Sequence, residues 1–446
     1  MQKLKFLGAS GEVTGSSYLL TSENKSEILI DFGMFQGPRE ITELNYLPVE
    51  FNASKLAGVF LTHAHLDHCG RLPLLVFGGY FGKIYMTAPT RALVELSLLD
   101  SARIAKENLH HQPLYTTQEV DKVMKLVEEV EYDTPIELAD FQITFKDAGH
   151  ILGSATLEIV DKSSKKKIVF SGDLGNSPED IIKPTEYIDF SDIVVMECTY
   201  GDKDHPQDNP SDLLQEEINA IEKSGGVLLL PAFSLERTQE LLHRIHHLKK
   251  DNKILTHTPV FLDSPMGIHA TTIFKDFKTF YNPELQSHTS DPFDFEGLVV
   301  TEDARDSKDI IKAMSPKVII AGSGMMSGGR ILEHAINYLP RENTRILFVG
   351  YQAEETLGRK IIEGKKNLFI YNKPVKVRAS VREIQSLSSH ADQSKLLYWL
   401  GHIKNVKAVF LTHSDTDQRS IFADKIKSLH PTLGVHLPQN GEEYDI

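Results

Sequence analysis

At 446 residues the chain is longer than one hydrophobic core usually holds, so two domains are expected. Its 41% hydrophobic and 25% charged residues describe an ordinary soluble globular protein, with no apolar run of the roughly 18 residues that a membrane-spanning helix requires. A net charge of −14 argues against a general nucleic-acid binder, which carries a basic face, but not against an enzyme whose cations gather in one metal-lined cleft. The start, Met1-Gln2-Lys3-Leu4-Lys5-Phe6-Leu7, lacks the apolar core of a secretory signal, and the two cysteines, Cys69 and Cys198, form no disulfide framework. A reducing cytoplasm is therefore expected, with both thiols acting as small buried apolar groups.

In chain order, the first part alternates short strands with helical stretches. Strands are predicted at Ser26–Asp31, Gly58–Thr62, Phe141–Phe145, Lys167–Phe170 and Asp192–Met196. Apolar residues at three- and four-residue spacing predict helices from Pro89 to about Asn108 and from Thr117 to about Glu128. Lys165-Lys166-Lys167 reads as an exposed hairpin turn. The polar, proline-containing run from Gly201 to Pro210 reads as a domain boundary. Beyond it the pattern becomes β-α-β. Gly226–Leu230, Val260–Asp263 and Val318–Ala321 each lead into a helix, the first from Leu235, and such near-continuous apolar strands imply a parallel sheet covered on both faces. The stretch from about Asn282 to Asp306 is less regular. Finally, Ala408-Val409-Phe410-Leu411-Thr412-His413 nearly repeats Val59-Phe60-Leu61-Thr62-His63, so the simplest topology is one domain interrupted by a second.

The chemistry concentrates after the Gly58–Thr62 strand, in His63-Ala64-His65-Leu66-Asp67-His68. Imidazole and carboxylate are the nitrogen and oxygen ligands that zinc prefers. Four such groups at one strand end are costly to bury unpaired, and a metal satisfies them together. His63 and His65 share one direction of an extended chain, while Asp67 and His68 follow where it turns into a helix, so one cluster can serve two adjacent metals. His150, Asp173 and His413 also stand at strand ends, where loops of layered α/β folds converge.

Together these residues resemble the metallo-β-lactamase fold. Five further segments narrow the resemblance to the β-CASP ribonucleases of that superfamily. They are Asp31-Phe32-Gly33, Met196–Gly201 with Glu197, Pro231–Glu240 with Arg237, Gly322–Arg330, and Ser388-Ser389-His390-Ala391-Asp392. Within that group the chain is most similar in organisation to stand-alone prokaryotic relatives of the endonuclease that cuts pre-mRNA 3′ ends. The resemblance implies an α/β (α+β) protein: a four-layer αββα metallo-β-lactamase domain formed by residues 1–205 and 382–446, with a parallel-sheet β-CASP domain inserted at 206–381.

The resemblance further implies two zinc ions, one on His63, His65 and His150, the other on Asp67, His68 and His413, bridged by Asp173. A metal pair about 3.5–4 Å apart suits phosphodiester hydrolysis, because it can hold a nucleophile and stabilise charge on the phosphate. Asp67 would orient the attacking water, and Asp31 would accept a ligand imidazole's other N–H. His390, seated beside Glu197, would protonate the leaving 3′ oxygen; by itself His390 would read equally well as a helix-start residue ahead of Asp392. Ser388, Ser389, Arg237, Gly324 and Gly328 would contact RNA or its phosphates. For the glycine segment a plain strand-to-helix turn is the alternative, and surface salt bridging is the alternative for Arg237. A glycine and a glutamate often follow the last histidine in this family, whereas Ser414-Asp415 follows here.

The expected activity is a zinc-dependent ribonuclease, endonucleolytic and leaving 5′-phosphate and 3′-hydroxyl ends, with single-stranded RNA in the inter-domain cleft. Membrane is not an expected partner, and a homodimer is compatible with the chain. Three alternatives stay open: a 5′-to-3′ exoribonuclease, a small-molecule metallo-hydrolase, and a non-catalytic RNA-binding subunit.

Overall fold

The computed structural model describes residues 1–107, 112–177, 180–353 and 355–446, which divide into two compact units. The first comprises Met1–Asp204 and His390–Ile446, the second His205–Ser389.

The first unit is built on two seven-stranded sheets. One runs, in spatial order, Glu443–Asp445, Lys3–Phe6, Tyr18–Thr21, Glu27–Ile30, Gly58–Phe60, Ile84–Thr87 and Val127–Val130. The other runs Gly434–His436, Ala408–Thr412, Ile193–Glu197, Lys167–Phe170, Ala155–Asp161, Phe141–Asp147 and Ile136–Leu138. Their facing sides form one core. Leu4, Phe6, Leu20, Ile28, Ile30 and Phe60 of the first sheet meet Phe141, Phe145, Leu157, Ile168, Phe170 and Phe410 of the second. The outer face of the second sheet is covered by helices Gln393–His402 and Thr416–Leu429, through Leu396, Trp399, Phe422 and Ile426 packed on Val169, Val194 and Met196. Helices Ala88–Glu107 and Thr117–Met124 lie by the Ile84–Thr87 and Val127–Val130 strands of the first sheet. The layering is αββα.

The returning chain is knitted in on both sides. Ala408–Thr412 pairs in parallel with Ile193–Glu197, and Glu443–Asp445 pairs antiparallel with Lys3–Phe6. The four-residue alternation that suggested helix up to Glu128 fails after Met124. There a turn at Lys125-Leu126 lets Val127–Val130 add in parallel to Ile84–Thr87, so strand pairing overrides the local helical pattern. Asn108, the expected end of the longer helix, lies outside the described residues. Lys167 also departs from expectation. Only Lys165 and Lys166 belong to the turn, whereas Lys167 is a buried strand residue paired with Glu158 and lying 4.5 Å from the Phe190 ring.

The second unit holds a six-stranded sheet, all parallel, in the order Leu298–Val300, Val260–Leu262, Lys317–Ala321, Val227–Pro231, Thr344–Phe348, Ser380–Glu383. Successive residues Leu228, Leu229 and Leu230 are all fully buried, which requires cover on both faces. Strand Ser380–Glu383 completes this sheet beside Thr344–Phe348, and the unit extends to Ser389.

Candidate metal centre

The His63–His68 segment is held in place by main-chain bonds. Phe32 N–H donates to His68 O (2.8 Å), Met34 N–H to Leu66 O (2.7 Å) and Ser16 N–H to Asp67 O (2.8 Å). That approach depends on Gly33, where a Cβ would stand 1.6 Å from the Asp67 carbonyl oxygen. Helix Leu66–Cys69 then points Asp67 and His68 to the same place as the strand-end histidines. On the opposite sheet, Phe141–Asp147 ends just before His150, Lys167–Phe170 just before Asp173, and Ala408–Thr412 at His413. Asp31 and His413 both adopt left-handed backbone (φ 55° and 54°), a costly conformation for non-glycine residues and one concentrated at functional sites.

Seven donors meet as a result. The donor atoms of His63, His65, His150 and Asp173 lie within 4.8 Å of one another, as do those of Asp67, His68 and His413. The Asp173 carboxylate stands between the two groups. Its Oδ2 faces His63 Nε2 (3.4 Å) and His150 Nε2 (3.5 Å), while Oδ1 faces His68 Nε2 (3.2 Å) and His413 Nε2 (3.6 Å). Oδ1 is buried with no hydrogen-bond partner. Such an orphaned carboxylate oxygen among imidazole nitrogens is costly unless a cation occupies the space, so the residues present fit a divalent metal.

The surrounding polar groups set which imidazole nitrogen faces inward. His68 Nδ1 bonds Asp31 Oδ2 at 2.7 Å, leaving Nε2 toward Asp173. Asp31 is itself fixed by the N–H and the hydroxyl of Thr62, both at 2.8 Å. Thr199 Oγ1 donates to the His413 carbonyl (3.0 Å) and so accepts from His413 Nδ1 (3.0 Å), again freeing Nε2. Burial pushes His63 down to about 3 and His65 to about 4, and pushes His150 well below the usual imidazole range. All three are thereby kept neutral, the form that ligates metal. Burial opposes ionisation of Asp67, but hydrogen bonding to His413 and the field of His68 hold its carboxyl below the usual range.

His390 sits at the edge of this centre. Its Nδ1 lies 3.1 and 3.2 Å from the two Glu197 oxygens, and its ring is 4.6 Å from that of His150. Glu197 Oε1 also accepts from Leu174 N–H (2.7 Å), which fixes the carboxylate. Burial works against a charged His390, but Glu197 outweighs it and pushes the imidazole up to about 9.

Three family descriptions match the chain: a metallo-beta-lactamase superfamily domain over residues 19–198, a Beta-Casp domain over 238–361, and a Zn-dependent metallo-hydrolase RNA specificity domain over 374–438. A ribonuclease from Thermus thermophilus is 35% identical, covering 92% of this chain and 93% of that protein. The RNase aCSPSF2 of Saccharolobus solfataricus is 31% identical over 99% of this chain and 85% of its own length. The chain belongs to the β-CASP family of the metallo-β-lactamase superfamily. The transcription termination factor FttA of Methanocaldococcus jannaschii is a further relative, 29% identical over 98% of this chain and 70% of that protein. A solved structure of an Enterococcus faecalis protein of unknown function shares the fold over the full length of both chains, with a TM-score of 0.58 and 12% identity. As in the rest of the family, the inserted unit is a β-CASP domain and the first unit a metal-dependent hydrolase fold.

The other expected contact residues of the β-CASP family member fall differently. Arg237 is buried and paired with the buried Glu240, one turn along its helix, so its guanidinium faces a carboxylate and not solvent. In the Gly322–Arg330 segment the Ser327 and Gly328 N–H groups are taken by Ser323 Oγ (2.9 and 3.2 Å), the arrangement of a self-bonded turn. A Cβ on Gly324 would press on the Phe233 ring at 2.7 Å, whereas Gly328 has open space around it. Ser388 is buried and Ser389 half-buried, directly ahead of His390 in the chain. Thr62 and Thr199, which orient the ligands, escaped the sequence reading. For Thr62 the signal was its place directly before His63, since a hydroxyl beside a ligand is a ready partner for its second nitrogen, whereas Thr199 is far from His413 in the chain and nothing local marks it.

Proposed function

We propose that this protein is a zinc-dependent ribonuclease carrying two zinc ions per chain, and that it cuts single-stranded RNA endonucleolytically to leave 5′-phosphate and 3′-hydroxyl ends. The observation that carries the reading is the Asp173 carboxylate, whose two oxygens each face a separate set of imidazoles. His63, His65 and His150 would hold one ion and Asp67, His68 and His413 the other. Bound zinc would supply Lewis acidity at the phosphate and an acidified water. Asp67, held ionised, accepts a hydrogen bond from the attacking water and orients it. His390 has Nδ1 engaged by Glu197, so the proton for the leaving 3′ oxygen is on Nε2. The names of the relatives from Thermus and Saccharolobus, both ribonucleases, support RNA as the substrate class, as does the description of the RNA specificity domain.

Metal analysis of the purified protein, paired with cleavage of end-labelled linear and circular RNAs, tests the whole reading. Two zinc ions per chain and linearisation of the circle are expected. Cutting of linear RNA alone, with mononucleotides released from the 5′ end, would replace the endonuclease by a 5′-exonuclease. Absence of bound metal and of all hydrolysis would overturn the proposal. Among the described residues no helix is long and apolar enough to cross a membrane.

A further inference from the structure

For a chain of net charge −14, one segment of the second unit is of opposite sign. Between Gly364 and Ala379 stand Lys365, Lys366, Lys373, Lys376 and Arg378, with no aspartate or glutamate among them. The segment is a hairpin, Asn367–Ile370 paired antiparallel with Lys373–Lys376, and its register sorts the side chains cleanly. Leu368, Ile370, Val375 and Val377 point inward and belong to the core of the unit, so the hairpin is anchored. Phe369, opposite Pro374, points outward and is 75% exposed. Tyr371, at the turn, is 56% exposed. Tyr371 and Asn372 both have positive φ (49° and 60°), the pattern of a turn in which glycine or asparagine is favoured at both places.

Neither packing nor local pairing accounts for this face. Among the described residues Lys365, Lys366, Lys373 and Lys376 pair with no carboxylate, and Arg378 has only a long approach to Glu342 (3.9 Å). Glu363 is engaged by Arg359, and Glu333 is the acidic group felt at Tyr371. An exposed phenyl ring on an anchored strand, with Lys376 and Arg378 alternating onto the same face while Lys373 lies opposite the inward Ile370, has the two parts a single-stranded nucleic-acid site requires. The rings offer faces for bases to stack on, and the ammonium groups meet phosphates. Phe369 on the strand and Tyr371 in the adjoining turn each offer an exposed ring on which a base can stack.

We propose that the outward face of the 365–378 hairpin is a stacking and phosphate-contact subsite for single-stranded RNA, separate from the metal centre. The proposal rests on RNA being the substrate of that centre. It also resolves the contrast between an acidic chain and a polyanionic substrate, because the cations needed for capture are concentrated on one element.

Binding of a fluorescein-labelled, phosphorothioate-linked 20-mer oligouridylate to the full-length protein, read by anisotropy over a salt series, tests it. Stacking contributes about 1–3 kcal/mol per base, so Phe369→Ala is expected to weaken binding about tenfold. A double variant, Lys376→Glu with Arg378→Glu, is expected to lower the slope of log affinity against log salt by about 1.4, or about 0.7 per phosphate contact. Both variants should hydrolyse bis(p-nitrophenyl) phosphate at the wild-type rate, since none of these residues belongs to the candidate ligand groups. Affinities within twofold of wild type in every variant would overturn the proposal. So would anionic phosphatidylserine vesicles or poly-glutamate competing as well as RNA for the wild-type face. If no RNA is hydrolysed by the wild type but these variants still lose RNA binding, the subsite stands and the nuclease reading falls.

Discussion

Replacing His390 by alanine separates two readings of the same imidazole. Its donor nitrogen lies close enough to Asp173 and His413 to form part of a third candidate ligand group, yet its Nδ1 is 3.1 Å from Glu197 and 3.9 Å from Asp173. The nearer partner decides the expectation: His390→Ala keeps the wild-type metal content. RNA cleavage should fall ~10²–10⁴-fold, which at 1.36 kcal/mol per factor of ten corresponds to about 2.7–5.5 kcal/mol of lost transition-state stabilisation. The proton supplied by His390 matters only where the leaving group is a poor anion. A nucleotide p-nitrophenyl ester, whose leaving group departs as the stable phenolate, should therefore lose less than about tenfold. Single-turnover rates on the two substrates, with metal content by atomic emission on the same samples, make the comparison. Equal losses on both substrates, or one metal fewer per chain, would show that His390 is a ligand and refute the assignment.

Asp31→Asn should weaken metal affinity about 10–100-fold in a chelator competition, because Asp31 orients the His68 ring and supports its basicity; an unchanged affinity would remove Asp31 from that role. Gly33→Ala should cost at least about 2 kcal/mol in urea unfolding and lower metal content, since its methyl group would collide with the Asp67 carbonyl at 1.6 Å. His243, buried on helix Arg237–Lys250, is pushed down to about 3 by burial, with His247 adding to the shift. The unfolded chain therefore takes up this proton first as pH falls. Stability attributable to His243 is complete above about pH 6.5 and is lost toward pH 3 at about 1.4 kcal/mol per unit. Between pH 7 and pH 5 the unfolding free energy of wild type, from urea curves, should fall by about 2 kcal/mol more than that of His243→Gln; parallel behaviour would contradict it.

What was legible in the sequence was chemistry that shows as residue type and spacing. The His63–His68 run marks a candidate metal site because four such groups at one strand end are costly to bury unpaired, and the apolar run Val227–Leu230 announces a doubly covered strand. What was not legible depends on tertiary partners. Nothing local distinguishes Lys167, which is buried against Glu158 and Phe190, from its neighbours Lys165 and Lys166 in the turn. The helical spacing through Glu128 was real, but the open edge of Ile84–Thr87 captured Val127–Val130 as a strand. The basic hairpin was missed because its cations are spread over fourteen positions, from Lys365 to Arg378, and Lys376 and Arg378 share a face with Phe369 only when the strands pair.

The donor set is drawn from distant parts of the chain: His63–His68 early, His413 more than three hundred positions later. Strand Lys3–Phe6 likewise waits for Glu443–Asp445 to cover its outer edge. Synthesis therefore cannot complete this donor set before His413 has left the ribosome. An enzyme able to cut transcripts would thus stay silent through the synthesis of everything that precedes that histidine.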